Sequence, residues 1–220
     1  MVPSLAALAL AGAMAAVSSA TPHVNLSIYL VQRCQAPARC LPAHIVTRMK
    51  HETERIWSSL DVQIAWVDSI DAVRSAQTAG MTLLLEENVD APWPVAQGLV
   101  LAAVHQPENP CGWALAHVWV RRVQRHVASV RVSGRPFVTL PAALADMILG
   151  RALGRALAHE IGHYLLGTAE HSARGLMRAE IVPQELLEEP IQSLYGLSSR
   201  ERGLLKSCGA EGQDALTGTR

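Results

Sequence analysis

The sequence lacks the most direct signs of several function classes. It carries no net charge, because nineteen lysines and arginines balance nineteen aspartates and glutamates over 220 residues. Domains that bind nucleic acid broadly carry a strong basic excess, so no nucleic-acid partner is expected. There is no C-x-x-C pair, which leaves a cysteine metal site as the less favoured use of Cys34, Cys40, Cys111 and Cys208. No internal repeat, low-complexity tract or interdomain linker breaks the chain. Aromatic residues make up only 4% and charged residues 17%, yet half of the positions are apolar. That mixture excludes a disordered tail, a collagen-like repeat and a coiled coil. A chain of this length forms one domain that buries about 70% of its unfolded surface and needs no staple to fold.

Charge is also missing from the start of the chain, where the first formally charged side chain is Arg33. Residues 1–20 read as a signal peptide. Leu5 to Val17 form its apolar core, and Ser18-Ser19-Ala20 supply the small residues for cleavage after Ala20. The lysine or arginine usual at the front of such a leader is missing, leaving only the α-amino group positive. The run is short and alanine-rich beside the roughly 20 strongly apolar residues of a bilayer span. The expectation is therefore a secreted or periplasmic protein with no stable membrane span after cleavage. The alternative is an uncleaved N-terminal anchor. Four cysteines in an exported chain suggest two disulfides. Cys34 with Cys40 is the simplest local pair and leaves Cys111 for Cys208, although three pairings are open.

Periodicity gives the order of elements. Val24 to Val31 reads as a strand, and Pro42 to Leu60 as a helix carrying Ile45, Val46, Met49, Ile56 and Trp57 on one face. Val62 to Val67, Met81 to Glu86 and Leu99 to Val104 read as further strands. Ala114 to Val120 alternates, with Leu115, His117 and Trp119 sharing one face, and reads as an edge strand bordering a cleft. Arg121, Arg122, Arg125, Arg131 and Arg135 follow as a basic, solvated patch. Pro141 to Leu166 holds helical periodicity without an internal proline. Within it Gly150 and Gly154, four apart, admit close approach by another element, and Gly167 should end it. Ser198 and Glu201 have capping-box spacing at the head of a terminal helix reaching Ser207, and residues 209–220 read as a flexible tail.

The chemistry sits near the end of the long helix. His159 and His163 are four apart, which stacks their imidazoles on one helix face within reach of one Zn²⁺. Glu160 points beside such a metal, where it can reach a water as a base and not as a ligand. Beyond Gly167 the chain can turn so that His171 returns to the same ion. A downstream carboxylate is the alternative third ligand: Glu170, or Glu180 or Glu185 in a gluzincin-like arrangement.

The segment His-Glu-Ile-Gly-His-Tyr-Leu, then Gly167, His171-Ser172 and Leu176-Met177, resembles the metzincin clan of zinc peptidases, and its matrixin branch in particular. The resemblance covers about residues 155–178. It implies an α+β zincin fold, with a twisted mixed sheet packed on a backing helix and an active-site helix. It also implies that His159, His163 and His171 bind zinc, that Glu160 is the general base, and that Met177 forms a floor under the metal. Ile191 to Gly196, with its Leu194-Tyr195-Gly196, is similar to the closing helix of matrixins. The spacing departs from H-E-x-x-H-x-x-G-x-x-H, because Leu166 and Ala169 stand where that pattern has glycine and histidine. Residues 21–208 are thus expected to form a zinc metallopeptidase domain acting on protein or peptide substrates, or else a non-catalytic zinc-binding or interaction protein on the same scaffold.

Overall fold

A computed structural model describes residues 24–75, 79–87, 101–107, 112–180, 182–186 and 194–205. The expected leader, the C-terminal tail and the Cys111–Cys208 pair lie outside these residues. Five strands form one mixed sheet in the order β2-β1-β3-β5-β4. They are β1 (Val24–Arg33), β2 (Val62–Val67), β3 (Ala79–Glu86), β4 (Ala102–His105) and β5 (Trp113–Trp119). All neighbours pair in parallel except β4, which runs antiparallel to β5. Parallel partners need crossovers, supplied here by α1 (Ala43–Ser58) and α2 (Ile70–Ser75). The fold class is α+β, as expected.

Alternation decides which side of the sheet meets the helices. Leu26 and Ile28, Met81, Leu83 and Leu85, and Ala114, Ala116 and Val118 are all buried on the face that packs against α1 and α4 (Ala142–Leu166). Helices α1 and α4 are the backing and site helices, and their contact runs through the two glycines. A Cβ on Gly154 would lie 2.6 Å from the Met49 carbonyl, and one on Gly150 would lie 2.7 Å from Arg48 Cβ. The missing side chains let α1 approach so closely that Thr53 Oγ1 comes 3.1 Å from the Gly154 carbonyl and Trp57 Nε1 donates to Ala158 at 3.2 Å. The backing helix thus grips α4 up to the residue before His159.

One expectation is corrected. Strand β5 is not an edge, since β3 and β4 flank it. The edge on this side is the short strand β4. Alternation reports that one face is half-exposed but says nothing about which edges are paired, because pairing is a long-range event. The basic stretch is also more than a patch. Residues Val120–Ala128 form α3, which buries Val123 and Val127 and turns Arg121 and Arg125 outward. A small hairpin of β6 (Arg131–Val132) and β7 (Arg135–Pro136) follows. The terminal helix covers 199–205, and its capping box is complete: Ser198 N–H donates to Glu201 at 2.6 Å and Glu201 N–H to Ser198 Oγ at 3.3 Å.

Candidate metal centre

The last three turns of α4 present His159, Glu160 and His163, all buried, and Gly167 ends the helix in the left-handed conformation (φ 60°). The Thr168 and Gly167 N–H groups close the cap on the carbonyls of His163 and Tyr164. The two residues beyond the metzincin spacing form a small turn in which Glu170 N–H donates to Thr168 Oγ1 at 3.0 Å. That turn carries His171 back over the helix end. Its ring stacks on that of His159 (interplanar angle 13°) and stands perpendicular to that of His163 (89°).

The three imidazoles converge through their Nε2 atoms. His159 Nε2 lies 3.0 Å from that of His163 and 3.3 Å from that of His171. Donors bound at 2.0–2.1 Å to a tetrahedral ion lie about 3.3 Å apart, so the spacing suits one ion. The opposite ring nitrogens are committed. His159 Nδ1 donates to the Leu176 carbonyl and His163 Nδ1 to the Thr168 carbonyl, each at 2.8 Å. A carbonyl can only accept, so in both neutral rings the proton sits on Nδ1 and the Nε2 lone pair faces the cluster. Burial disfavours the imidazolium form, drawing His159 down to about 4 and His163 below its ordinary value. Neutral imidazoles with converging lone pairs suit a borderline-soft divalent cation such as zinc. Among the described residues this is the one group of three such side chains able to hold a metal ion.

The alternative third ligands do not enter the cluster. Glu170 is exposed and lies 3.5 Å from Arg200, Glu180 is exposed, and the Glu185 carboxylate is taken by Arg178. Glu160 is 7% exposed, and burial pushes its carboxyl up to about 8; a cation nearby would pull it back down.

Met177, which the resemblance marked, is 1% exposed and lies under α4 with its sulfur 2.2 Å from where a Cβ on Gly162 would stand, so that glycine makes room for it. Two supporting residues were not legible as such. Tyr164 is a tether: its hydroxyl donates to the Gly112 carbonyl and accepts from Gly80 N–H at 3.0 Å, joining α4 to β3 and to the entry of β5. Gln106 Nε2 donates to the His163 carbonyl at 2.6 Å and holds the end of β4 beside the site. His105, Gln106, Pro107, Trp113 and Leu115 line an open cleft of about 380 Å³, which the alternation of β5 places toward the sheet face turned away from α4. Tyr164's place directly after His163 and Gln106's place beyond a strand give no pattern that would have revealed these contacts.

No protein-family model matches the sequence, and no curated protein matches it. A solved structure of archaemetzincin from Methanopyrus kandleri is similar in chain course at a TM-score of 0.46. It is 14% identical, with 85% of this chain and 96% of that chain covered. At that level the likeness says nothing about the chemistry of the site.

Proposed function

We propose that the protein is an exported zinc-dependent metallopeptidase of metzincin type. The observation that carries the reading is the convergence of three Nε2 lone pairs, two of them fixed by backbone acceptors, beside a buried carboxyl on the same helix. His159, His163 and His171 hold the ion. Zinc so held would supply Lewis acidity, lowering the pKa of a water toward about 7 and polarising a substrate carbonyl.

The chain's own residues do the rest. Glu160 accepts the proton of the attacking water and delivers it to the departing amine; burial alone would keep its carboxyl protonated, and the positive charge of a cation held by the histidines would return it to the ionised form that can accept. Leu176 and Thr168 keep the two helix imidazoles in the ligating tautomer. An extended peptide adds alongside β4, the edge strand whose end Gln106 ties to the His163 carbonyl. Export is supported by the Cys34–Cys40 disulfide, a bond characteristic of oxidising compartments. No helix among the described residues is long and apolar enough to cross a membrane.

The test uses the purified full chain: metal content by elemental analysis, and hydrolysis of casein and a mixed peptide library with and without a chelator. Stoichiometric zinc, chelator-sensitive cleavage and loss of cleavage in a zinc-loaded Glu160→Ala variant are expected. Bound zinc with no hydrolysis of any peptide would leave the non-catalytic reading standing instead.

A further inference from the structure

Arg178 and Glu185 sit behind the cluster in an ion pair that no step above uses. The pair is bidentate: Arg178 Nη1 donates to Glu185 Oε1 at 3.0 Å and Nη2 to Oε2 at 2.6 Å, with both side chains largely buried. Hydrogen bonds from Arg178 hold the Glu185 carboxyl below the usual carboxylate range. The Glu185 backbone is occupied as well. Its carbonyl accepts from Tyr195 Oη at 2.9 Å and from Arg155 Nη1. Arg155 is fully buried on α4, one turn before His159, and its Nε donates to Glu52 of α1 at 2.6 Å. The Tyr195 ring lies 5.0 Å from its guanidinium.

These contacts close a ring around one ligand. From His159 the path runs through Nδ1 to the Leu176 carbonyl and along the chain past Met177 to Arg178. It crosses to Glu185, passes from the Glu185 carbonyl to Arg155, and returns up one turn of α4 to His159. Only one link in that ring between the 172–178 loop and the 182–186 turn is made by side chains alone, and it is the ion pair. The loop is tied further by Ser172, whose N–H donates to the Met177 carbonyl at 2.7 Å and whose Oγ donates to the Arg174 carbonyl at 2.6 Å, and by Leu176 N–H, which donates to the Gly196 carbonyl at 3.0 Å. None of these bonds joins the loop to the 182–186 turn.

We infer that Arg178 and Glu185 are positioning residues for the metal centre: their ion pair holds the Leu176 carbonyl against His159 and so fixes the tautomer in which Nε2 can ligate. The inference rests on reading the cluster as a zinc site. It assigns Glu185 to an outer shell and removes it as a ligand. Outer-shell partners of this kind change metal affinity by about 10–100-fold when lost.

The experiment is a double-mutant cycle on the full chain with Arg178→Met, Glu185→Gln and the double variant. Zinc affinity is read by competition with a chromophoric chelator, and the His159 tautomer from ring nitrogen chemical shifts in the zinc-free protein. Tyr195→Phe is included as a milder change, because it removes one hydrogen bond to the Glu185 carbonyl and leaves the ion pair. Each single variant of the pair is expected to weaken zinc binding about 10–100-fold and to mix the His159 tautomers. The double variant should be no worse than either, and Tyr195→Phe should move both readouts slightly in the same direction. Unchanged affinity and tautomer in folded variants, with only a lower Tm, would make the pair a plain structural brace and overturn the inference. So would a loss confined to Glu185→Gln, with Arg178→Met binding zinc as tightly or more tightly, since that is the behaviour of a direct ligand. Absence of zinc binding in the wild-type chain would instead sink the peptidase reading, so the two failures are distinguishable.

Discussion

Helix α4 is one continuous element of 25 residues, yet two stretches of it are buried for opposite reasons. The stretch from Ile148 to Leu157 is buried by shape. Gly150 and Gly154 give a smooth groove into which α1 fits, and Leu149, Ala152, Leu153, Ala156 and Leu157 fill the core. The second stretch buries two histidines and a glutamate, groups that ordinarily seek water. Burial draws His159 down to about 4 and Glu160 up to about 8, so these site groups are held in place against their own preference for solvent. Ile161, Tyr164, Leu165 and Leu166, buried among these polar groups, join the packed stretch in anchoring them.

The sharpest way to break this contrast is to remove chemistry while leaving packing intact. His163→Ala, or Glu160→Ala with zinc retained, should lower kcat by about 10²–10⁴-fold or more while far-ultraviolet circular dichroism stays native. The complementary change attacks the groove: Gly154→Val puts a branched side chain where even a Cβ lies 2.6 Å from the Met49 carbonyl. A loss of about 1–3 kcal/mol is expected in denaturant unfolding, with kcat per folded molecule nearly kept.

A third change tests the idea that burial of the site groups is disfavoured. In metal-free protein the raised Glu160 carboxyl keeps a proton that the unfolded chain loses above about 4.5, so folded stability falls as pH rises from there toward 8. The depressed His159 acts in the other direction. The unfolded chain takes up a proton below about 6.5 that the folded chain refuses until about 4, so stability falls as pH drops through that window. Above pH 6.5 only the glutamate contribution remains of these two. Glu160→Gln should therefore flatten the high-pH limb and raise the Tm of the chelator-treated protein at pH 8 more than at pH 5. Equal shifts at both values would show that Glu160 is better solvated than its burial suggests. The smallest effect belongs to Tyr164→Phe, which removes the tether to Gly80 and Gly112. A loss of about 1 kcal/mol and a Tm lower by a few degrees are expected, with zinc affinity little changed.

Much of this was legible in the chain because it is local. Strand and helix periods, the glycine that stops α4, the capping box at Ser198 and the i, i+4 histidines each depend on a few neighbouring residues, and each is where the spacing placed it. Helix α3 is likewise local, written in the spacing of Val120, Val123 and Val127, and the expected basic patch includes part of its outer face. The edge strand was not legible, since β5 and β4 have to be paired before either can be called internal.

The sequence by itself determined which side chains carry lone pairs and protons, and at what helical phase, because phase follows from the backbone's fixed rise and turn. Tertiary structure alone decided that a turn two residues longer still brings His171 to the other two imidazoles. It also decided that Glu185 is engaged by Arg178 and does not enter the cluster. Both outcomes depend on where a loop is pinned against residues distant in the chain, and no spacing rule encodes the position of those anchors.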